Sequence, residues 1–265
     1  MARLDYPVYL QHIRTESQRF RDVLTDCDPT ARVPGCPEWD AGDLIWHLAE
    51  VQWFWAKTIR TRPTPPGEAD EGPERPESYA GLLAAFDEYS ASLVAELERA
   101  DPGEAAWSWS AEQKVGFTYR RQAHEALIHR LDAEQTAGQV TPLDPALATD
   151  GVQEALDVMF GGTPPWGLFI GLDHFVRVDT TDTGESVWVQ LGQFTGTDPA
   201  TDVSHDEPDI SVVPDPGTEP DAVVAGPAGA LDAWLWRRVD DSEVKVTGSL
   251  DIYARFRVAV DNPIN

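Results

Sequence analysis

Cysteine is scarce in this chain, and long apolar runs are missing. Only Cys27 and Cys36 occur among 265 residues. Their spacing fits no zinc or redox motif, and two thiols are too few for a disulfide framework. No run of about 18 apolar residues is found, which argues against a membrane-spanning helix. The opening segment MARLDYPVYLQHIRTESQRF lacks the apolar stretch of a signal peptide. A cytoplasmic protein with reduced thiols is therefore expected. Positive charge is also sparse, with 20 Lys and Arg against 46 Asp and Glu and a net charge of −26. Such a field repels phosphate backbones and anionic surfaces, so neither a nucleic-acid nor a membrane partner is expected. Its plain consequence is solubility. No GxSxG elbow occurs to make a histidine part of a nucleophilic triad, and no internal repeat is visible.

What is present can build a core. Hydrophobic residues make up 42% of the chain, and ten Trp contribute to 9% aromatics. The length suggests two modest domains. Tyr9, Leu10, Ile13, Phe20, Val23 and Leu24 recur at helical spacing and predict a helix over 6–24. The Pro/Gly-rich connector ARVPGCPEWDAGD follows, with Asp40 as an N-cap and Asp43 as its acidic partner. Leu44, Ile45, Leu48, Val51, Trp55 and Ile59 stripe a second helix. A polar, Pro-rich loop is expected over 61–78, then a third helix over 79–100. A fourth runs from Thr118 to its stop at Gly138, and a shorter one covers 145–160. This reads as an up-and-down four-helix bundle, with crossover connections as the open alternative. After GGTPPWG the pattern changes: SVWVQLGQF, DISVVP, DAVVAG and EVKVTG read as strands, while ALDAWLWRRV and LDIYARFRVAV read as helices. The fold class is α+β, with a helical bundle over 1–162 and a small α/β domain over 163–265.

The segment YRRQAHEALIHRLDAE carries the chemistry. Glu125 and His129 are four residues apart, so their side chains leave one helix face about a turn apart. His47, in LIWHLAEV on the second helix, can face them across a bundle. Two imidazoles and a carboxylate suit a zinc site with an open position, and nickel, iron or manganese accept the same donors. Asp132, three residues past His129, is placed to orient it by hydrogen bonding. Spacing alone leaves a solvated Glu–His pair and a satisfied core histidine as alternatives. His124 points about 100° away and reads as a bundle or surface residue. His12, His174 and His205 lack ligand-like neighbours. Cys36 reads as packed in a turn rather than nucleophilic. Trp46, Trp53 and Trp55 read as core before pocket. Arg120 and Arg121 either flank the metal cleft or pair with surface carboxylates.

Three blocks resemble a known family. VPGCPEWDAGDLIWHLAEV is similar to the pattern V-P-x-C-P-x-W-x-x-x-D-L-x-x-H-L of actinobacterial proteins related to mycothiol-dependent maleylpyruvate isomerase. RRQAHEALIHRLDAE resembles that family's R-x-x-x-H-E-x-x-x-H-R-x-D-A-E block. GPAGALDAWLWRR resembles its G-x-x-x-x-L-x-x-W-L-W-x-R segment. The resemblance implies a DinB-like bundle bearing the metal on His47, Glu125 and His129, followed by the α/β domain. It also implies mycothiol, a sugar-linked cysteine thiol, as cosubstrate, and an arginine of the second domain at the active cleft, with Arg237 and Arg238 at the matching block. A divalent metal, Zn2+ first, would activate the thiol for isomerisation or S-transfer on a small electrophilic substrate. Arginines would hold a substrate carboxylate, and Asp132 and Arg121 would support the cofactor. A monomer would suffice for this plan. The alternative is a non-catalytic protein of the same fold that binds or sequesters a metal or small ligand.

Overall fold

The computed structural model describes residues 3–67, 71–261 and 264. The chain divides into two compact units, Leu4–Leu143 and one built from Asp144–Asn265, each with its own apolar core. Among the described residues no helix is long and apolar enough to cross a membrane.

The first unit contains α1 (Tyr6–Thr25), a hairpin of β1 (Arg32–Val33) and β2 (Cys36–Asp40), α2 (Ala41–Thr61), α3 (Tyr79–Arg99) and α4 (Val115–Ala137). The hairpin lies in the connector that the sequence left irregular. Asp40 and Asp43 form a reciprocal capping box: each side chain accepts the other's backbone N–H, at 2.9 and 3.1 Å. This fixes where α2 begins, and so where His47 lies along it. The Pro-rich loop follows α2, although residues 68–70 of it lie outside the described residues. Ser78 caps α3 by accepting from the Gly81 N–H at 3.1 Å. The fourth helix starts at Val115, earlier than the expected Thr118. Gly138 ends it at φ 69°, a conformation that favours a residue without Cβ.

Around the bundle the helices are ordered α1–α4–α2–α3. The links from α1 to α2 and from α3 to α4 therefore cross the bundle rather than join neighbours. Phe20, Leu44, Leu48, Leu82, Phe86 and Ala133 form part of its core. The fourth helix differs from the others, because every residue from Val115 to Glu134 is buried, charged ones included. Buried charge requires partners. Arg130 donates to Glu16 at 2.7 Å and to Glu134 at 2.9 Å. Glu134 also accepts from Arg19 at 2.7 Å and from the Thr141 N–H at 2.7 Å. Burial would raise the Glu134 carboxyl, but these donors outweigh it and hold it below the usual carboxylate range.

The second unit opens with α5 (Pro145–Glu154), which continues as a π-helical turn (Ala155–Phe160). A five-stranded sheet follows, ordered β5–β4–β3–β6–β7. Its strands are β3 (Gly167–Thr180), β4 (Glu185–Thr197), β5 (Ser204–Val213), β6 (Ala222–Gly226) and β7 (Lys245–Gly248), with α6 (Ala228–Leu235) and α7 (Leu250–Ala259) interleaved. Strands β3 and β6 run parallel, and the other neighbours are antiparallel. The residue pattern predicts β4, β6, β7, the end of β5 and both helices, but not the central strand β3. Its alternation breaks at Gly171–Phe175, where the pairing register with β4 shifts.

The division of the chain also differs from expectation. The helical pattern predicts a first domain over 1–162, whereas the compact units part at Leu143/Asp144. The cause is local to α5. Asp144 caps it, accepting from the N–H groups of Ala146 and Leu147 at 3.0 and 2.9 Å. The helix then packs closely on α6: a Cβ on Gly151 would lie 2.5 Å from the Asp232 carboxylate. Val152, Ala155 and Leu156 enter the core of the sheet unit.

Candidate metal centre

Within the first unit, His47 of α2 meets Glu125 and His129 of α4. One ligating atom from each lies within 4.8 Å of the others. Both imidazole Nε2 atoms approach the same oxygen, Glu125 Oε1, at 3.4 Å from His47 and 3.1 Å from His129. A tetrahedral ion with donors about 2.0–2.1 Å away separates neighbouring donors by about 3.3 Å. The observed N···O spacings fit a common divalent cation. His47 remains partly exposed, while Glu125 is 6% and His129 1% exposed.

Partners around the ligands set their protonation. The other Glu125 oxygen, Oε2, accepts from Arg121 Nη2 at 2.6 Å. Burial pushes the Glu125 carboxyl up, but the Arg121 charge and the contacts with His129 and His47 outweigh it and hold the group well below the usual range. It is a carboxylate at neutral pH. His129 Nδ1 lies 2.9 Å from Asp132 Oδ2. A carboxylate there accepts the Nδ1 proton and leaves the Nε2 lone pair directed at the centre. Burial lowers the His129 imidazole, but its hydrogen bonds to Asp132 and Glu125 outweigh this, so the net direction is upward.

A residue the sequence reading did not single out borders this group. Trp39 of β2 lies 4.7 Å from the His47 ring and 6.3 Å from the His129 ring, centroid to centroid. Its signal was a tryptophan at a fixed position in the first family-like block, within a connector read as irregular. The hairpin turns that connector into a wall beside the histidines.

The remaining candidates take the following places. Arg120 and Arg121 are each 3% exposed, so neither is a surface pair. Arg121 bonds a candidate ligand rather than lying free for a cofactor. His124 is fully buried in the bundle, edge-on to Tyr9 at 6.2 Å. Cys36 is buried in the bundle core. Trp55 is core at 5% exposure, whereas Trp46 and Trp53 are half-buried. Arg237 and Arg238 belong to the second unit. Arg237 is exposed at φ 61° and donates to the Asp261 carbonyl at 2.9 Å. Arg238 is 7% exposed and donates to the Trp236 carbonyl at 2.6 Å.

Comparison with known proteins agrees with the fold. Residues 10–134 match the family model described as the mycothiol maleylpyruvate isomerase N-terminal domain. Residues 146–255 match its C-terminal domain. Among solved structures, the chain is similar to the crystal structure of the mycothiol-dependent maleylpyruvate isomerase and to a histidine-to-alanine mutant of it. The TM-scores are 0.58 and 0.59; each shares 13% identity, over 93% of this chain and 95% of that one. No curated protein matches.

Proposed function

The chain belongs to the mycothiol maleylpyruvate isomerase family, and from that premise we propose that it is a metal-dependent enzyme using mycothiol, or a similar low-molecular-weight thiol, to isomerise or S-conjugate a small electrophilic substrate. The observation that carries this reading is the convergence of His47 and His129 on one oxygen of Glu125. Zinc suits two imidazoles and one carboxylate with an open fourth position. A divalent cation there supplies a nucleophile, because it lowers the pKa of a thiol enough to deprotonate it near neutral pH.

The protein's own groups prepare that position. Glu125 offers Oε1 to the centre while Arg121 occupies Oε2, which fixes the plane of the carboxylate. Asp132 sets the His129 ring orientation and tautomer. The exposed edge of His47 leaves the centre open to a small molecule. Arg237 and Arg238 are the proposed source of a guanidinium for a substrate carboxylate, where a planar fork binds both oxygens.

Purified protein is expected to carry about one divalent metal per chain. His47→Ala should lose it, as read by elemental analysis of the purified variant; full occupancy in that variant removes the centre. Calorimetry with mycothiol then separates enzyme from sequestering protein. Heat that depends on bound metal supports the enzyme, and none at millimolar thiol supports the alternative.

A further inference from the structure

On α4, residues 118, 121, 122, 125, 129 and 132 fall within an arc of about 100°, at 100° per residue. Four of them, Arg121, Glu125, His129 and Asp132, are joined by the contacts described above. The other two are Thr118 and Gln122, both 0% exposed. Thr118 Oγ1 and both amide atoms of Gln122 find no hydrogen-bond partner among the described residues. Buried polar groups are nearly always paired, and an unmade bond leaves the full desolvation cost. By contrast, Thr141 Oγ1 bonds Glu134 at 2.8 Å and Gln52 Nε2 bonds Ser17 Oγ at 2.9 Å, although Gln52 Oε1 is likewise unpaired among the described residues.

We propose that Thr118 and Gln122 form the recognition subsite for the thiol cosubstrate, holding a neutral hydroxyl- or amide-bearing part of it while its sulfur lies at His47, Glu125 and His129. This inference rests on the proposed function. The chemistry of the pair selects the group. A primary amide offers two donors and an acceptor, and a hydroxyl offers one of each with a second lone pair. Neither carries charge, so the subsite suits a sugar hydroxyl or an amide rather than a carboxylate or phosphate. Arg121, the cation of the arc, already bonds Glu125. The reach is also suitable. At about 1.5 Å per residue, Gln122 lies about 4.5 Å and Thr118 about 10 Å along the axis from Glu125, the length of a small molecule extending from its sulfur.

The test uses the full-length, zinc-loaded protein with Thr118→Val and Gln122→Met, which keep side-chain volume and remove hydrogen bonding. Metal content, melting temperature and calorimetric affinity are measured for each, with mycothiol and with 2-mercaptoethanol as probes. Each variant is expected to keep its zinc, melt at or above the wild-type temperature, bind 2-mercaptoethanol unchanged and bind mycothiol about tenfold more weakly. Wild-type affinity for mycothiol in both variants overturns the subsite and leaves the proposed function standing. So does melting several degrees lower, which shows the side chains paired structurally, and so does equal weakening toward both thiols, which shows a disturbed centre. No heat from the wild type with either thiol overturns the proposed function and this inference with it.

Discussion

Helix α4 and the sheet unit bury their residues by opposite means. In the sheet unit the apolar core contains Val176, Val178, Val189, Val224, Leu231, Trp234 and Phe256, with packing and water exclusion supplying the stability, and buried charge such as Asp150, Glu154 and Asp232 is the minority. In α4 the buried set includes Arg120, Arg121, Gln122, His124, Glu125, His129, Arg130, Asp132 and Glu134. Such a set adds little net stability even when fully paired, because desolvation offsets most of the Coulomb gain. The difference indicates what each region is for. A helix surrounded on every side could be apolar throughout, and α4 instead holds fixed charges where a ligand needs them.

This contrast can be broken at its most demanding point with Glu125→Ala. That variant should lose its metal and its activity, and also about 3 kcal/mol or more of stability, because the buried Arg121 loses its neutralising carboxylate. Elemental analysis with denaturant unfolding checks both, and a variant that keeps its metal refutes the role given to this residue. Phe256→Ala sharpens the other side. Removing that ring from the sheet-unit core should cost about 3–5 kcal/mol with metal content unchanged, since no donor is touched. The smallest effect is expected for Glu134→Gln, about 1–3 kcal/mol at neutral pH. The folded-state pKa of Glu134 is depressed, so its contribution is complete above the ordinary glutamate value, about 4.3, and fades as pH falls through the folded value. The stability gap between wild type and Glu134→Gln, followed by melting from pH 7 downward, should therefore close below about pH 4.

Much of this arrangement was legible from residue order, though unevenly. Helices α1 to α3 announce themselves because each is apolar on one face and polar on the other, so periodicity is enough. The meeting of His47, Glu125 and His129 was legible because helical geometry brings positions 125 and 129 together and a bundle can set the second helix opposite them, with the family-like blocks pointing to the same three residues. What escaped notice follows from physical causes. Residues 118 and 122 look like ordinary polar residues of a surface helix, and only the burial of α4 on all sides reveals them. Trp39 became part of the site through a hairpin with a two-residue first strand, too short for any alternation to show. The boundary at Leu143/Asp144 was hidden because α5 continues the helical pattern of the first unit, while its partners lie in the second.

The outer strand β5 has a consequence of its own. It carries Asp206, Glu207, Pro208 and Asp209 at the border of the sheet. A neighbouring molecule trying to extend the ladder there would bring carboxylates against carboxylates and meet a proline that offers no N–H. The opposite border, β7, spans only Lys245–Gly248. Fibril-like growth by strand addition is thus discouraged at both margins, which helps a β-rich unit stay dispersed at high concentration.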